Sequence, residues 1–293
     1  MSPSAQTGDG ARAGSAVARI MLGGQLRSYR EAAGISPDAA GYHIRASRAK
    51  ISRLETGRAR CKERDVLDLL TFYGVDDTEV VAGLLVLVSQ ARTQNWWADF
   101  SDVLPAWFEP YLGMEAAASV IRAFDLQFVC GLFQTEDYAR AVTVLGHRDA
   151  RAGEIERRVA VRMKRQELLA AANAPKVWAV MDEAALRRPV GGPAVMRAQV
   201  RRLLEAAGMP AVTLQVLPFA AGGHDAGGTF TILRFAEGGI SDVVYVEQLT
   251  GATYVDKPDA ALDYHRDVMN RLASAALAPA QTTSFLAGML REM

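Results

Sequence analysis

The sequence predicts a mainly α fold with an α+β C-terminal domain. The expected order is five short N-terminal helices, a further helical segment, then a small mixed β-sheet with helices. Three observations predict it. Apolar residues recur at helical spacing from residue 17 to about residue 172. After Pro175 the apolar period changes from about 3.6 to 2. Positive charge is concentrated at the front: Ser15 to Arg64 hold eleven Lys/Arg against four Asp/Glu, a net of +7, in a chain that sums to zero. Residues 1–14 hold one charge of each sign, so residues 65–293 carry −7. A basic module precedes an acidic body, which points to an anionic partner for the front alone.

With 293 residues, 50% of them hydrophobic, the chain holds about two domains and a sizeable core. The expected boundaries are a disordered arm over 1–16, a helical domain over 17–76, a connecting helix over 77–95 and a C-terminal domain over 96–293. Cys61 and Cys130 lie far apart, with no CxxC and no His at ligand spacing, so neither a disulfide nor a metal is expected. The first eighteen residues lack the apolar core of a signal peptide. Val80–Val88 is far shorter than the roughly 20 residues of a membrane span. The expectation is a cytoplasmic protein with no membrane partner and no cofactor.

The first helix is read over Val17–Ala33, with Leu22, Leu26, Tyr29 and Ala33 on one stripe and Gly34 as its stop. Ser36 caps a short second helix, Pro37–His43, with Pro37 at the first position, where a missing N–H costs nothing. Ile44, Arg45 and Ala46 form a turn. Ser47 caps a third helix, Arg48–Glu55, which Gly57 ends. Ala40, Ile44, Ile51 and Leu54 fill the angle between two helices joined this tightly. The third helix then presents Ser47, Arg48, Ala49, Lys50, Ser52 and Arg53 outward. An Arg on such a helix pairs bidentately with guanine in a major groove, Lys50 and Ser52 suit phosphate, and Arg58, Arg60 and Lys62 follow in a loop placed to meet backbone. The plainer alternative is a solvated basic face, but cap, turn, cap and charge fall at fixed offsets, which favours a helix-turn-helix that reads double-stranded DNA.

Leu22 to Val75, with the run ISRLETGR, resembles the XRE family of repressor-type helix-turn-helix domains. The resemblance implies a structural ion pair between Arg30 and Glu55, and base-reading positions at Arg48, Ala49 and Arg53. The family's usual Gln after the second helix's cap is Pro37 here. That change removes a phosphate contact, and Asp38 beside it repels phosphate, so the 58–64 loop is expected to matter more.

A fourth helix is read over Glu63–Tyr73, with Val66, Leu67, Leu70 and Tyr73 on one side and Gly74 as its stop. A fifth, capped by Asp77 or Thr78, runs to about Thr93 and is so apolar that it must be covered on most sides. Three of the chain's four Trp then fall in one segment with Trp96, Trp97, Phe100, Trp107, Phe108 and Tyr111. This segment is either a hydrophobic hinge or the wall of a ligand pocket or dimer interface.

Helices are expected over Met114–Ala123, Thr135–Leu145 and Ala152–Ala172, and the charge run of the last reads as a solvated face. Beyond Pro175, strands are expected over Lys176–Met181, Val212–Leu217, Thr229–Phe235 and Asp242–Glu247. Helices are interspersed over Glu183–Arg188, Ala194–Ala207 and Asp259–Ala276. The Gly-rich loop Pro218–Gly228 lacks a phosphate-loop signature. Asp182, Glu183, His224, Asp225 and Glu247 are the polar candidates for chemistry or ligand contact. No GxSxG, HExxH or HxK pattern supports them, so an enzyme is not expected.

The back half has a resemblance of its own. WFEPYLGMEAAAS, GLFQTEDYARA, RMKRQELL, MDEAALRRPVGG, VTLQVLP and FTILRF with VVYVE follow in the order found in actinobacterial regulators of the WhiJ type, apart from Cys130 where Pro is usual. These join an XRE domain to a C-terminal domain of unknown function. The resemblance implies a transcriptional regulator of development or antibiotic production, of a type whose genes often sit beside genes for small acidic partner proteins. A homodimer on a palindromic operator with half-sites about 34 Å apart is expected. Its C-terminal domain would bind a small-molecule effector or partner protein. The alternative is an antitoxin-like interaction module that sequesters a partner and regulates its own operon.

Overall fold

In the computed structural model, residues 7–59, 61–91, 96–236, 241–256 and 260–293 are described, with residues 7–17 and 90 described by backbone alone. The chain divides into two units. One comprises residues 1–99, 106–117 and 237–240, and the other residues 100–105, 118–236 and 241–293.

The first unit is helical. Helix α1 spans Thr7–Ala32, α2 Pro37–His43, α3 Arg48–Glu55, α4 Glu63–Phe72, α5 Thr78–Ala91 and α6 Glu109–Ala117. Helix α1 starts at Thr7, inside the segment expected to be an unstructured arm, where Ala11, Ala13 and Ala16 supply strong helix formers among the glycines. Residues 1–6 lie outside the described residues. Gly34 and Gly57 take positive φ, 68° and 69°, and end α1 and α3. Asp77 caps α5, its Oδ1 accepting from the backbone N–H of Glu79 at 2.8 Å and Val80 at 3.2 Å.

Leu22 and Leu26 from α1, Ala40 from α2, Ile51 and Leu54 from α3, Val66, Leu69 and Leu70 from α4 and Leu84 and Val88 from α5 form one buried core. Two expectations change here. Leu67 is 37% exposed and Leu69 takes the buried place. The α5 helix, expected to be covered on most sides, leaves Val86 55% exposed. Residues 92–95, the end of the expected connecting helix, lie outside the described residues.

The second unit is a mixed six-stranded sheet with helices, ordered β3-β2-β1-β4-β5-β6. Its strands are β1 Val120–Asp125, β2 Lys176–Asp182, β3 Val212–Leu217, β4 Phe230–Arg234, β5 Val243–Gln248 and β6 Gly251–Val255. The β1–β2 and β2–β3 pairs are parallel, while β1–β4, β4–β5 and β5–β6 are antiparallel. Helices α7 (Glu136–Gly146) and α8 (Ala152–Gln166) connect β1 to β2, and α9 (Glu183–Arg187) and α10 (Pro193–Ala207) connect β2 to β3. Two more follow the sheet: α11 (Ala260–Ala275) and α12 (Pro279–Glu292). Phe124, Val180, Leu217, Phe230, Ile232 and Val244 pack against Leu262, Val268, Met269 and Leu272 of α11.

The expected fold class therefore holds, with three corrections in the back half. The helix expected over Met114–Ala123 stops at Ala117, and Val120–Asp125 is instead a central strand. Its β-branched Val120 and Ile121 suit that place, paired to β2 on one side and β4 on the other. A tight turn at Leu249 and Thr250 adds β6, and Pro279 opens α12; neither element was expected. The helix expected to reach Ala172 closes at Gln166 in a 3₁₀ turn. Among the described residues no helix is long and apolar enough to cross a membrane.

Candidate nucleic-acid interface

Two serines set the geometry of the front site. Ser36 Oγ accepts from Ala39 N at 3.1 Å and Ser47 Oγ from Lys50 N at 3.2 Å, so α2 and α3 each start at a fixed residue. Between them Ala46 N donates to Gly41 O at 2.7 Å, and Arg45 takes φ 55° to complete the turn. Ala40, Ile51 and Leu54 are all but fully buried, which turns the opposite face of α3 outward. On that face Ser47, Arg48, Ala49, Ser52 and Arg53 are exposed.

The far end of α3 is held from beneath. Arg30 Nε donates to Glu55 Oε1 at 2.6 Å and Arg30 Nη2 to Glu55 Oε2 at 3.0 Å, a two-pronged pair with both side chains 7% exposed. Arg30 Nη1 also donates to Ile35 O at 2.9 Å, so this guanidinium ties α1 to α3 and to the residue before α2's cap. The hydrogen bond it donates to Glu55 raises the Arg30 pKa against the opposing effect of burial. Gly23 brings α1 close: a Cβ there would stand 2.3 Å from Leu54 O and 2.7 Å from Glu55 O.

The cations of this face differ in freedom. Arg48 approaches Asp38 at 3.5 Å, both largely exposed; such a pair contributes ~0–1 kcal/mol and yields to a better acceptor. Lys50, expected to meet phosphate, donates to Asp65 Oδ2 of α4 at 2.7 Å. Asp65 is only 16% exposed, so Lys50 is engaged within the fold. Arg58 is half-buried and Lys62 exposed at the start of α4. Arg60 lies outside the described residues. Arg45, exposed in the turn, is a further cation that the sequence reading did not single out. Burial pushes the Cys61 thiol up to about 12, with Asp65 adding to the effect.

The remaining sequence candidates fall into separate places. Trp96, Trp97, Trp107, Phe108 and Tyr111 belong to the first unit. Trp97 and Tyr111 are buried, Trp96 meets Trp97 edge-on, and Phe108 stacks on Tyr111. Tyr111 Oη donates to Glu115 Oε1 at 2.8 Å within the buried part of α6.

In the second unit, Asp182 and His224 come together at the carboxyl end of β2, Oδ2 to Nε2 at 3.6 Å. Asp182 Oδ1 accepts from Ala184 N at 2.7 Å and so caps α9. Glu183 accepts from Phe219 N at 2.9 Å and from Arg187 Nε at 3.0 Å, which anchors the loop after β3. These two acids thus have structural work. Asp225 pairs with Arg271. Glu247 stands apart from them, exposed near the end of β5. Sequence reading missed the bond from Arg162 Nη1 of α8 to Oε1 of the buried Gln134 at 3.1 Å, residues far apart in the chain that only the fold brings together.

The comparisons with known proteins follow this division. A helix-turn-helix domain model matches residues 21–82. A second model, described as a domain of unknown function (DUF5753), matches residues 108–288, more than half of the chain. Neither a curated protein nor a solved structure matches.

Proposed function

Since the chain belongs to the DUF5753 family and carries a helix-turn-helix domain ahead of that region, we propose that it is a sequence-specific, non-enzymatic transcriptional regulator that lays α3 in the major groove. The observation that carries this reading is the division of α3 into two faces. Ile51 and Leu54 are buried, while Arg48 and Arg53 stand exposed on the other side. Arg48, Ala49 and Arg53 then read base edges. Ser47, Ser52, Arg58, Arg60 and Lys62 hold phosphate, and Lys50 joins them on leaving Asp65.

One such helix reads only a few base pairs, so the working form is a homodimer on a palindromic operator. The back-half motifs support the WhiJ type found in actinobacteria. On this reading the protein works in the cytoplasm, on the nucleoid. Its C-terminal unit binds a small molecule or a partner protein that favours one DNA-binding state over the other.

Selection from a random duplex pool at moderate salt tests the proposal. Enrichment of a two-fold symmetric site is the expected result, and an unenriched pool refutes it. Native purification separates the two kinds of effector: a bound metabolite supports the sensor, and a stoichiometric protein supports the partner.

A further inference from the structure

Arg45 stands in the left-handed region, φ 55°, and among the described residues it is the one non-glycine residue with positive φ. The turn between α2 and α3 forces this. Ala46 N donates to Gly41 O at 2.7 Å and Arg45 N to Tyr42 O at 3.1 Å, which closes the chain within a few residues. Gly41 packs so tightly that a Cβ there would stand 2.9 Å from Ala46 O and 3.1 Å from Ser47 C. Glycine takes the left-handed region freely, whereas a side chain adds steric cost. The Arg45 side chain returns nothing to the fold. It is exposed, and among the described residues it has no ion pair or side-chain hydrogen bond. A strained position that keeps an unengaged charge points to work outside the fold.

The place of the turn says where that work lies. A helix with its side chains is about 10–12 Å across, and the major groove is about 12 Å wide. A helix seated there fills the groove, so the chain entering it passes beside a phosphate ridge. Ser47 caps α3, and Arg45 lies two residues before it, within about 7 Å of extended chain. The flank of the turn is open. Asp38 approaches Arg48 across the α2–α3 junction at 3.5 Å. Tyr42, one turn from Asp38 on the same side of α2, is 88% exposed. Other groups nearby are worse placed to hold phosphate. At the start of α2, Pro37 has no N–H to offer and Asp38 is acidic, while Lys50 is tied to Asp65 at 2.7 Å.

We propose that Arg45 holds a backbone phosphate at the edge of the groove, a sequence-independent contact that fixes where α3 enters. This deepens the reading of α3 as the recognition helix and rests on it. A guanidinium presents a planar fork of donors to phosphate oxygens, and such contacts set register without reading sequence. The turn holds the backbone of that fork at a fixed distance from the α3 cap.

The test is fluorescence anisotropy of the full chain across a range of salt, on the duplex recovered by selection and on random duplex. Amide hydrogen exchange of the DNA-free chain runs alongside. Arg45→Gly should weaken binding to both duplexes by the same factor, about tenfold at about 0.1 M salt. It should also make the dependence of log affinity on log salt shallower by about one unit. Its preference for the selected duplex should keep the wild-type ratio, and protection in α2 and α3 should equal or exceed wild type. Arg45→Lys keeps the charge and should keep the wild-type salt dependence. Unchanged salt dependence in Arg45→Gly overturns the proposal, as does a shallower one in Arg45→Lys. Lower protection in Arg45→Gly overturns it too, because Arg45 would then serve the fold. Wild-type preference for the selected duplex, with Arg45→Gly unchanged in salt dependence, removes the turn contact and leaves α3 as the reader. Absence of any wild-type preference removes the reading of α3 itself.

Discussion

Gly23 and Gly24 are neighbours on α1 with opposite surroundings, and replacing each by alanine separates packing from propensity. A Cβ on Gly23 would stand 2.3 Å from Leu54 O and 2.7 Å from Glu55 O, whereas one on Gly24 meets nothing within 4 Å. Close C···O contacts lie at about 3.3–3.6 Å, so Gly23→Ala must drive α1 and α3 apart by about 1 Å. Both obstacles are backbone carbonyls, and no side-chain rotation relieves them. Overpacking of this kind costs about 1–3 kcal/mol, against a helix-propensity gain of about 0.5–1 kcal/mol. Gly24→Ala receives the gain alone. Amide hydrogen exchange in α1 and α3 reads both, because it reports opening of the first unit whatever the second does. Gly23→Ala should lower the α3 opening free energy by about 1–2 kcal/mol, while Gly24→Ala leaves it unchanged or higher. Operator affinity of Gly23→Ala should also fall about tenfold or more, since one misaligned bidentate base contact forfeits ~1–3 kcal/mol. Equal protection in the two variants would refute the claim that glycine at 23 sets the seat of α3.

Three further outcomes follow from the same geometry. Arg30→Ala strands the carboxylate of Glu55, itself 7% exposed, and should cost the first unit about 3–5 kcal/mol by hydrogen exchange; replacing both residues by apolar ones should recover much of that. Asp65→Asn frees Lys50 and should steepen the dependence of log affinity on log salt by about one unit, read by fluorescence anisotropy. The Asp125 carboxyl, raised to about 7 in the fold, binds its proton more tightly than the unfolded chain does, with its value of about 3.9. Its contribution to stability is therefore complete below about pH 4 and lost as the pH rises through about 7. Asp125→Asn should remove that slope, measured as unfolding midpoints of the second unit between about pH 4 and pH 8.

The front unit was largely legible because its signals are local. Ser36, Pro37 and Ser47 mark helix starts by chemistry confined to three or four residues, and Gly34 and Gly57 mark stops; α2 and α3 fall at the expected residues. The engagement of Lys50 was not legible, because Asp65 lies on another helix, fifteen residues away in sequence. In the back unit, β1 follows directly on the Ala-rich end of α6, and its identity as a strand comes from partners more than fifty residues distant. The α12 start did carry a local signal: Pro279 at its first position, and Gln281 Oε1 accepting from Ala278 N at 3.1 Å. The Asp182–His224 and Gln134–Arg162 contacts are products of topology, and no spacing in the sequence announces either.

The most direct measurement is competition anisotropy with the duplex recovered by selection, titrated against random duplex at moderate salt, for the wild-type chain and for Arg53→Ala. The wild-type chain should prefer the selected duplex by a factor of about 10³ or more, and Arg53→Ala should bind both duplexes alike while keeping the wild-type oligomeric state. Undiminished preference in Arg53→Ala would contradict the placement of α3 in the groove.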